Sequence, residues 1–289
     1  MRQAGWRCVL LYVSRTDRRK MWCPVIAYEK IMDTQYKAQA KVVAIIPARY
    51  HSNRFEGKPL ALIAGKPMIQ HVYERAKAVA LLSRVAVATD DERIAECVRA
   101  FGGEVVLTRS DHVSGTDRLA EAATIMGIGE QDVVVNIQGD QPLFEAEVIS
   151  QVAMPLLEDP ALPMSTLIYK IVRQEEITDP NHVKTVFDRQ NNALYFSRAS
   201  IPFQRNPEEP QAPTYYKHLG FYGYRKGFLL TFVGLPEGEW ERFEKLEQLR
   251  ALEFGYRIRV VLTAHDSIEV DTPKDLERVE ELIRKDGKQ

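Results

Sequence analysis

Cysteine is scarce in this 289-residue chain: Cys8, Cys23 and Cys97 lie far apart and lack the paired spacing of a zinc site, which excludes a disulfide scaffold and a structural zinc module. Net charge is nearly absent as well. The 39 Lys and Arg against 40 Asp and Glu leave a formal charge of -1, so the strongly basic balance of a general nucleic-acid binder is missing. No unbroken apolar run approaches the roughly 18–20 residues that span a bilayer. No stable membrane insertion is expected, and the main body reads as cytoplasmic. What is present, 45% hydrophobic and 27% charged residues, suits an ordinary globular protein of one large α/β unit or two smaller ones.

Residues 1–40 differ in texture. The apolar stretch from Cys8 to Val13 is short and runs into the polar segment Ser14 to Lys20, with no clear small-residue cleavage site, so a secretory signal is not indicated. Arginines at positions 2, 7, 15, 18 and 19 permit an organelle-targeting reading, but serine is scarce and the helical period poor. We favour a loosely ordered extension, or a true start at Met21 or Met32, with the working domain at 41–289.

From Lys41 onward, β-branched runs alternate with segments of helical period. Val42 to Ile46 is wholly apolar, as expected of a parallel strand covered on both faces. Similar runs are Arg84 to Thr89, Glu104 to Thr108 and Asp132 to Ile137. Helices are expected over Met68 to Val79, Glu92 to Phe101, Thr116 to Met126 and Glu145 to Leu157. Such alternation predicts a doubly wound α/β sheet with right-handed crossovers. Further on, Met164 to Val172 reads as a strand, and Val183 to Asp188 should pair with Ala193 to Ser197 as an inserted hairpin. A proline-bearing loop spans Arg205 to Thr214. A helix over Arg242 to Phe254, a strand over Arg257 to Leu262 and a helix over Lys274 to Lys285 complete the expected pattern.

In open α/β sheets ligands bind beyond the carboxyl ends of the strands. The loop after the first strand, Pro47 to Leu60, has neither GxGxxG nor GxxxxGK[ST], which disfavours a nicotinamide oxidoreductase and a Walker nucleotide site. It concentrates Arg49, Arg54 and Lys58 instead, a set suited to neutralising a triphosphate, or in the plainer reading a basic surface loop. Asp140, at the end of a later strand, is placed to hold a hard cation such as magnesium. Asp271 precedes Thr272-Pro273; by itself it reads first as a helix cap.

Taken in order, the motifs PARYxSxRxxGKPL, ATD, TRxDHxSGTxR, NxQGDxP, LYFSR, HLGxYGYR, LEQLR and VDTPxDLERV resemble those of the 3-deoxy-manno-octulosonate (Kdo) cytidylyltransferases, from about Lys41 to the last helix. The resemblance implies a mostly parallel, mixed sheet of the nucleotide-diphospho-sugar transferase type and a homodimer. It also implies transfer of CMP from CTP to Kdo with release of pyrophosphate, for lipopolysaccharide synthesis. Carried over residue by residue, it places catalysis on Lys58, Arg49, Asp140 and Asp271, with Mg²⁺ on the two aspartates. CTP would meet Ala48, Arg49, Arg54, Lys58, Thr89, Asp90, Ser114, Gly115, Thr116 and Gln138. Kdo would meet Arg198, His218, Tyr222, Glu247 and Gln248. Two departures stand out: Glu56 adds a negative charge to the phosphate loop, and Gln141 replaces the usual glutamate of GDEP.

The plainer readings of these residues are a satisfied core histidine at 218, strand packing at Tyr222 and Tyr224, and solvated helical groups at Glu247 and Gln248. His112 beside Asp111 reads as a backbone-orienting pair rather than a metal site. Rival functions are a cytidylyltransferase for another sugar acid, such as a sialic acid, and a non-catalytic nucleotide-sugar-binding protein. The HLGxYGYR and LEQLR segments argue against the first; Lys58, Asp140 and Asp271 together argue against the second.

Overall fold

The computed structural model describes residues 40–51, 55–206, 208 and 212–286. The extension over residues 1–39, Arg54 of the phosphate loop, and Pro207 and Pro210 of the proline-bearing loop lie outside the described residues.

The chain begins with β1 (Val42–Pro47), which is buried on both faces. Its alternation splits two cores: Val42, Ala44 and Ile46 pack into one apolar layer, Val43 and Ile45 into the other. Burying one such isoleucine contributes about 1.5–3 kcal/mol. A tight hairpin follows, β2 (Leu62–Ile63) and β3 (Lys66–Pro67), turned by Ala64 and Gly65 at φ 49° and 81°. Two successive left-handed residues match the twist of a two-residue hairpin.

The expected alternation then appears within a residue or two of the sequence reading: α1 (Met68–Lys77), β4 (Arg84–Thr89), α2 (Glu92–Ala100), β5 (Glu104–Leu107), α3 (Gly115–Ile125), β6 (Val133–Asn136), α4 (Ala146–Glu158) and β7 (Met164–Lys170). After the short α5 (Glu175–Thr178) comes the hairpin of β8 (Lys184–Phe187) and β9 (Ala193–Ser197), where it was expected.

Beyond the short hairpin and α5, several elements were not bounded in the sequence, although strand packing at Tyr222 and Tyr224 was one reading. β10 (Tyr216–Arg225) runs antiparallel between β6 and β7. Gly220 and Gly223 disguise it in the sequence, yet both are required: Gly220 has φ 69° at a register shift, and a Cβ on Gly223 would come within 2.7 Å of Ser165 Oγ. α6 (Lys226–Val233) follows directly. The helix expected over Arg242 to Phe254 is two helices, α7 (Glu239–Glu244) and α8 (Gln248–Glu253), broken at Lys245 with φ 52°. Arg198 makes the break possible by donating to the carbonyls of Glu244 and Lys245 at the end of α7. β11 (Ile258–Thr263) and α9 (Pro273–Asp286) close the chain.

The sheet order is β11-β7-β10-β6-β1-β4-β5. β6, β1, β4 and β5 are mutually parallel, β11 is parallel to β7, and β10 is antiparallel to both neighbours. The sheet is therefore mixed and mostly parallel. Helices α1, α2 and α4 supply one apolar layer, and α3, α6 and α8 the other. The doubly wound arrangement is thus present, with the carboxyl ends of β1, β4 and β6 along one edge. Among the described residues no helix is long and apolar enough to cross a membrane.

Candidate active site

Two aspartates 131 positions apart meet on one ammonium. Lys58 Nζ lies 2.7 Å from Asp140 Oδ2 and 3.4 Å from Asp271 Oδ1. The backbone brings them together: Val270 N donates to Asp140 O at 2.9 Å, and Leu143 bridges Ile268. The capping reading of Asp271 gives way here. Thr272 and Asp275 form the reciprocal cap of α9, with Asp275 N to Thr272 Oγ1 at 3.3 Å and Thr272 N to Asp275 Oδ2 at 2.9 Å. The Asp271 carboxylate instead reaches Lys58.

Lys58 is set by the turn before it. Gly57, at φ 67°, opens a short 3₁₀ turn (Lys58–Leu60), and a Cβ there would crowd the Tyr50 ring at 3.2 Å. Tyr50 is fixed by the Arg93 guanidinium over its face. Arg49 is exposed just beyond β1 and makes no ion pair with any described residue. The extra charge of Glu56 lies on the surface, 3.4 Å from His51 Nδ1.

Gln141 is fully buried. Its Nε2 donates at 3.1 Å both to Leu219 O and to Glu269 Oε1. A glutamate at 141 would set two carboxyls against each other here; the amide supplies a donor. Glu269 had no signal in the sequence. Over the whole residue Glu269 is exposed, while its carboxyl is packed against Gln141 Nε2 at 3.1 Å. Burial, then the neighbouring Asp140 and Asp271, push its pKa up to about 7, against the pull of Gln141 and Lys58.

A second group of polar side chains lies on the face covered by α3 and α8. Ser114 caps α3 reciprocally with Asp117, so its hydroxyl is engaged in holding the helix start, with Gly115 as the first helical residue. Thr116 is buried and donates to Glu247, whose carboxyl burial pushes upward in pKa. Tyr222 and Tyr224 stack at 5.8 Å, both phenols pushed well above their ordinary range by burial and then by Glu247. Glu269 adds to the same upward push on Tyr222.

His218 is held by Thr166, whose hydroxyl is 2.8 Å from Nε2 and donates its proton to Phe221 O at 2.7 Å. A hydroxyl has one proton to give, so Nε2 must carry the histidine hydrogen and Nδ1 is left as an acceptor. Burial lowers its pKa to about 3, and the ring is neutral at physiological pH. The satisfied-histidine reading is therefore half right: one nitrogen is satisfied.

The remaining expected residues divide. Ala48 and Thr89 are buried at the ends of β1 and β4, and Thr89 Oγ1 accepts from Asp91 N at 3.2 Å, shaping the loop. Asp90 pairs with Arg118 at 3.0 Å. Gln138 Nε2 reaches Gly220 O at 3.4 Å, and Gln248 is buried at the start of α8. Arg198 already donates to carbonyls of Glu244, Pro180 and Lys245, so a sugar carboxylate would compete with three existing partners. His112 pairs with Glu121, whose carboxylate also accepts from Arg109 N at 2.9 Å.

The chain is similar to known proteins over most of its length. A family described as Cytidylyltransferase matches residues 43–258. A 3-deoxy-manno-octulosonate cytidylyltransferase of Syntrophus aciditrophicus is 63% identical over 84% of this chain and 97% of its own length. An 8-amino-3,8-dideoxy-manno-octulosonate cytidylyltransferase of Shewanella amazonensis is 53% identical over 85% of this chain and 99% of its own. A solved CMP:2-keto-3-deoxy-manno-octonic acid synthetase complexed with CTP superposes with a TM-score of 0.80 at 45% identity, covering 86% of this chain and 100% of that one.

Proposed function

The chain belongs to the cytidylyltransferase family, and from that premise we propose that it transfers CMP from CTP to Kdo, releasing pyrophosphate, as a step of lipopolysaccharide synthesis. The observation that carries the reading is the convergence of Asp140 and Asp271 on Lys58 at the strand ends, in a chain 63% identical to a Kdo cytidylyltransferase. A sialic acid as acceptor has no comparable support.

The chemistry follows from charge. The anomeric hydroxyl of Kdo attacks the α-phosphorus in line and pyrophosphate departs, so positioning and electrostatic stabilisation do most of the work. Lys58 and Arg49 neutralise phosphate oxygens; losing one such donor in a shielded site raises a barrier by about 2.7–4 kcal/mol. Lys58 is poised for this because its ammonium has three hydrogens and only two aspartate partners among those described. Asp140 and Asp271 fit magnesium: they are hard oxygen donors that already gather round one positive charge. When bound there, the ion would lower the pKa of the attacking hydroxyl and offset charge on the α-phosphate. His218, Tyr222, Glu247 and Gln248 line the sugar side, His218 accepting through Nδ1.

Purified protein with CTP, Mg²⁺ and Kdo should release pyrophosphate. Release with a sialic acid and none with Kdo would overturn the reading. The 8-amino sugar named for the Shewanella relative belongs in the same assay: a higher kcat/KM for it than for Kdo would move the assignment to that substrate. A cytoplasmic homodimer is the accompanying expectation, checked by light scattering of the purified chain and by fractionation of cells.

A further inference from the structure

We infer that Asn136 is an additional sugar-binding residue, its carboxamide oxygen accepting a hydrogen bond from a hydroxyl of the acceptor sugar acid. The inference rests on the Kdo reading above. Asn136 ends β6, beside the central strand, and is only 2% exposed. Its strand neighbours are Ile45 on β1 and Tyr222 on β10. Opposed residues of antiparallel strands project to the same face. Asn136 therefore shares a face with Tyr222, and through it with Thr166, opposite Tyr222 on β7. His218 completes the row, its ring 5.0 Å from that of Tyr222.

Two residues earlier on the same strand and face is Val134, which packs in the apolar layer with Leu119 and Tyr224. An amide at the next position needs a reason. Among the described residues its Oδ1 is buried and has no hydrogen-bond partner, a state that native proteins avoid because the desolvated acceptor gains nothing in return. On the same side of the sheet, Gln248 Nε2 is likewise buried and unpartnered. A buried acceptor and a buried donor are both satisfied by a polyol, whose hydroxyls give one hydrogen and accept others. The triphosphate of CTP has only acceptors to offer and cannot satisfy Oδ1; the ribose hydroxyls and cytosine amino group of CTP are donors, so the test reads KM for CTP beside KM for Kdo. The sequence shows Asn136 only as one letter of NxQGDxP; its burial and lack of a partner are visible in the fold alone.

The test is Asn136→Leu, which keeps the branched outline, alongside Asn136→Ala, which removes the same group without steric demand. Each variant and the wild type are assayed for pyrophosphate release at varied Kdo and varied CTP, and for melting temperature. Both variants should raise KM for Kdo about tenfold, leave KM for CTP within about twofold, and melt no lower than wild type in the leucine case, because an unpaired polar group has been removed. A Kdo KM within twofold of wild type in both variants overturns the inference. So does a rise confined to CTP, or a melting temperature several degrees lower in both, which would reveal a structural hydrogen bond. If the wild type shows no Kdo-dependent turnover, the functional reading itself falls and this inference with it.

Discussion

Replacing Lys58 by methionine should convert the aspartate pair into a tighter divalent-cation site while abolishing catalysis. In the cleft the Lys58 ammonium lies 2.7 Å from Asp140 and 3.4 Å from Asp271, and these legs share one nitrogen, so the two oxygens are about 6 Å apart at most. A divalent ion held by both carboxylates must displace or endure that ammonium. At about 4 Å, even in the dielectric of bulk water, a single positive charge opposes a doubly charged ion by about 2 kcal/mol, or about thirtyfold in affinity. The lysine stem is flexible and can swing toward solvent, which returns part of this, so about a tenfold gain is the expected outcome. Methionine keeps the apolar reach of the stem without the charge. The assay is titration with Mn²⁺ in the absence of nucleotide, reading free ion by electron paramagnetic resonance, with Mg²⁺ as competitor. If the methionine variant binds the ion no more tightly than wild type, the idea that ammonium and metal contend for the same carboxylates is wrong.

Asp140→Asn and Asp271→Asn should each abolish metal-dependent pyrophosphate release with circular dichroism unchanged; turnover surviving both would remove the metal role. Acid should destabilise the protein through His218. Its folded pKa, about 3, lies below that of a free histidine, so the unfolded chain takes up the proton first and stability is lost as pH falls from about 6.5 toward 3, at about 1.4 kcal/mol per unit before solvent screening. Urea unfolding of wild type and His218→Gln at pH 7.5 and 5.5 should show the variant losing about 1 kcal/mol less, and equal losses would contradict the assignment. Thr116→Val strips the buried Glu247 carboxyl of a donor and should cost about 1–3 kcal/mol in the same assay at pH 7.5; a cost near zero would show that Ser114 or water takes its place.

The expected helix over Arg242 to Phe254 shows where periodicity runs out. Leu246 and Leu249 are buried on a continuing apolar stripe, so nothing in the pattern marks the left-handed residue between α7 and α8. The break depends on Arg198, 47 positions away, meeting the carbonyl of Lys245. β10 was obscured for a related reason. Its glycines interrupt the β-branched pattern of a strand, and their need is set by Ser165 and by a register shift that exist only once the strands are paired.

The sequence alone determined the alternating strands and helices, because burial on both faces writes an apolar run and a 3.6-residue period into the chain. It also supplied the chemistry of the phosphate loop and of Asp140, since charge after a buried strand is legible one residue at a time, whereas Asp271 by itself read as a helix cap. The tertiary structure decided which of these groups meet. Asp271 abandons its cap for Lys58, the pKa of Glu269 rises beside it, and Asn136 Oδ1 is left without a partner among the described residues, because each outcome depends on neighbours drawn from other elements of the fold.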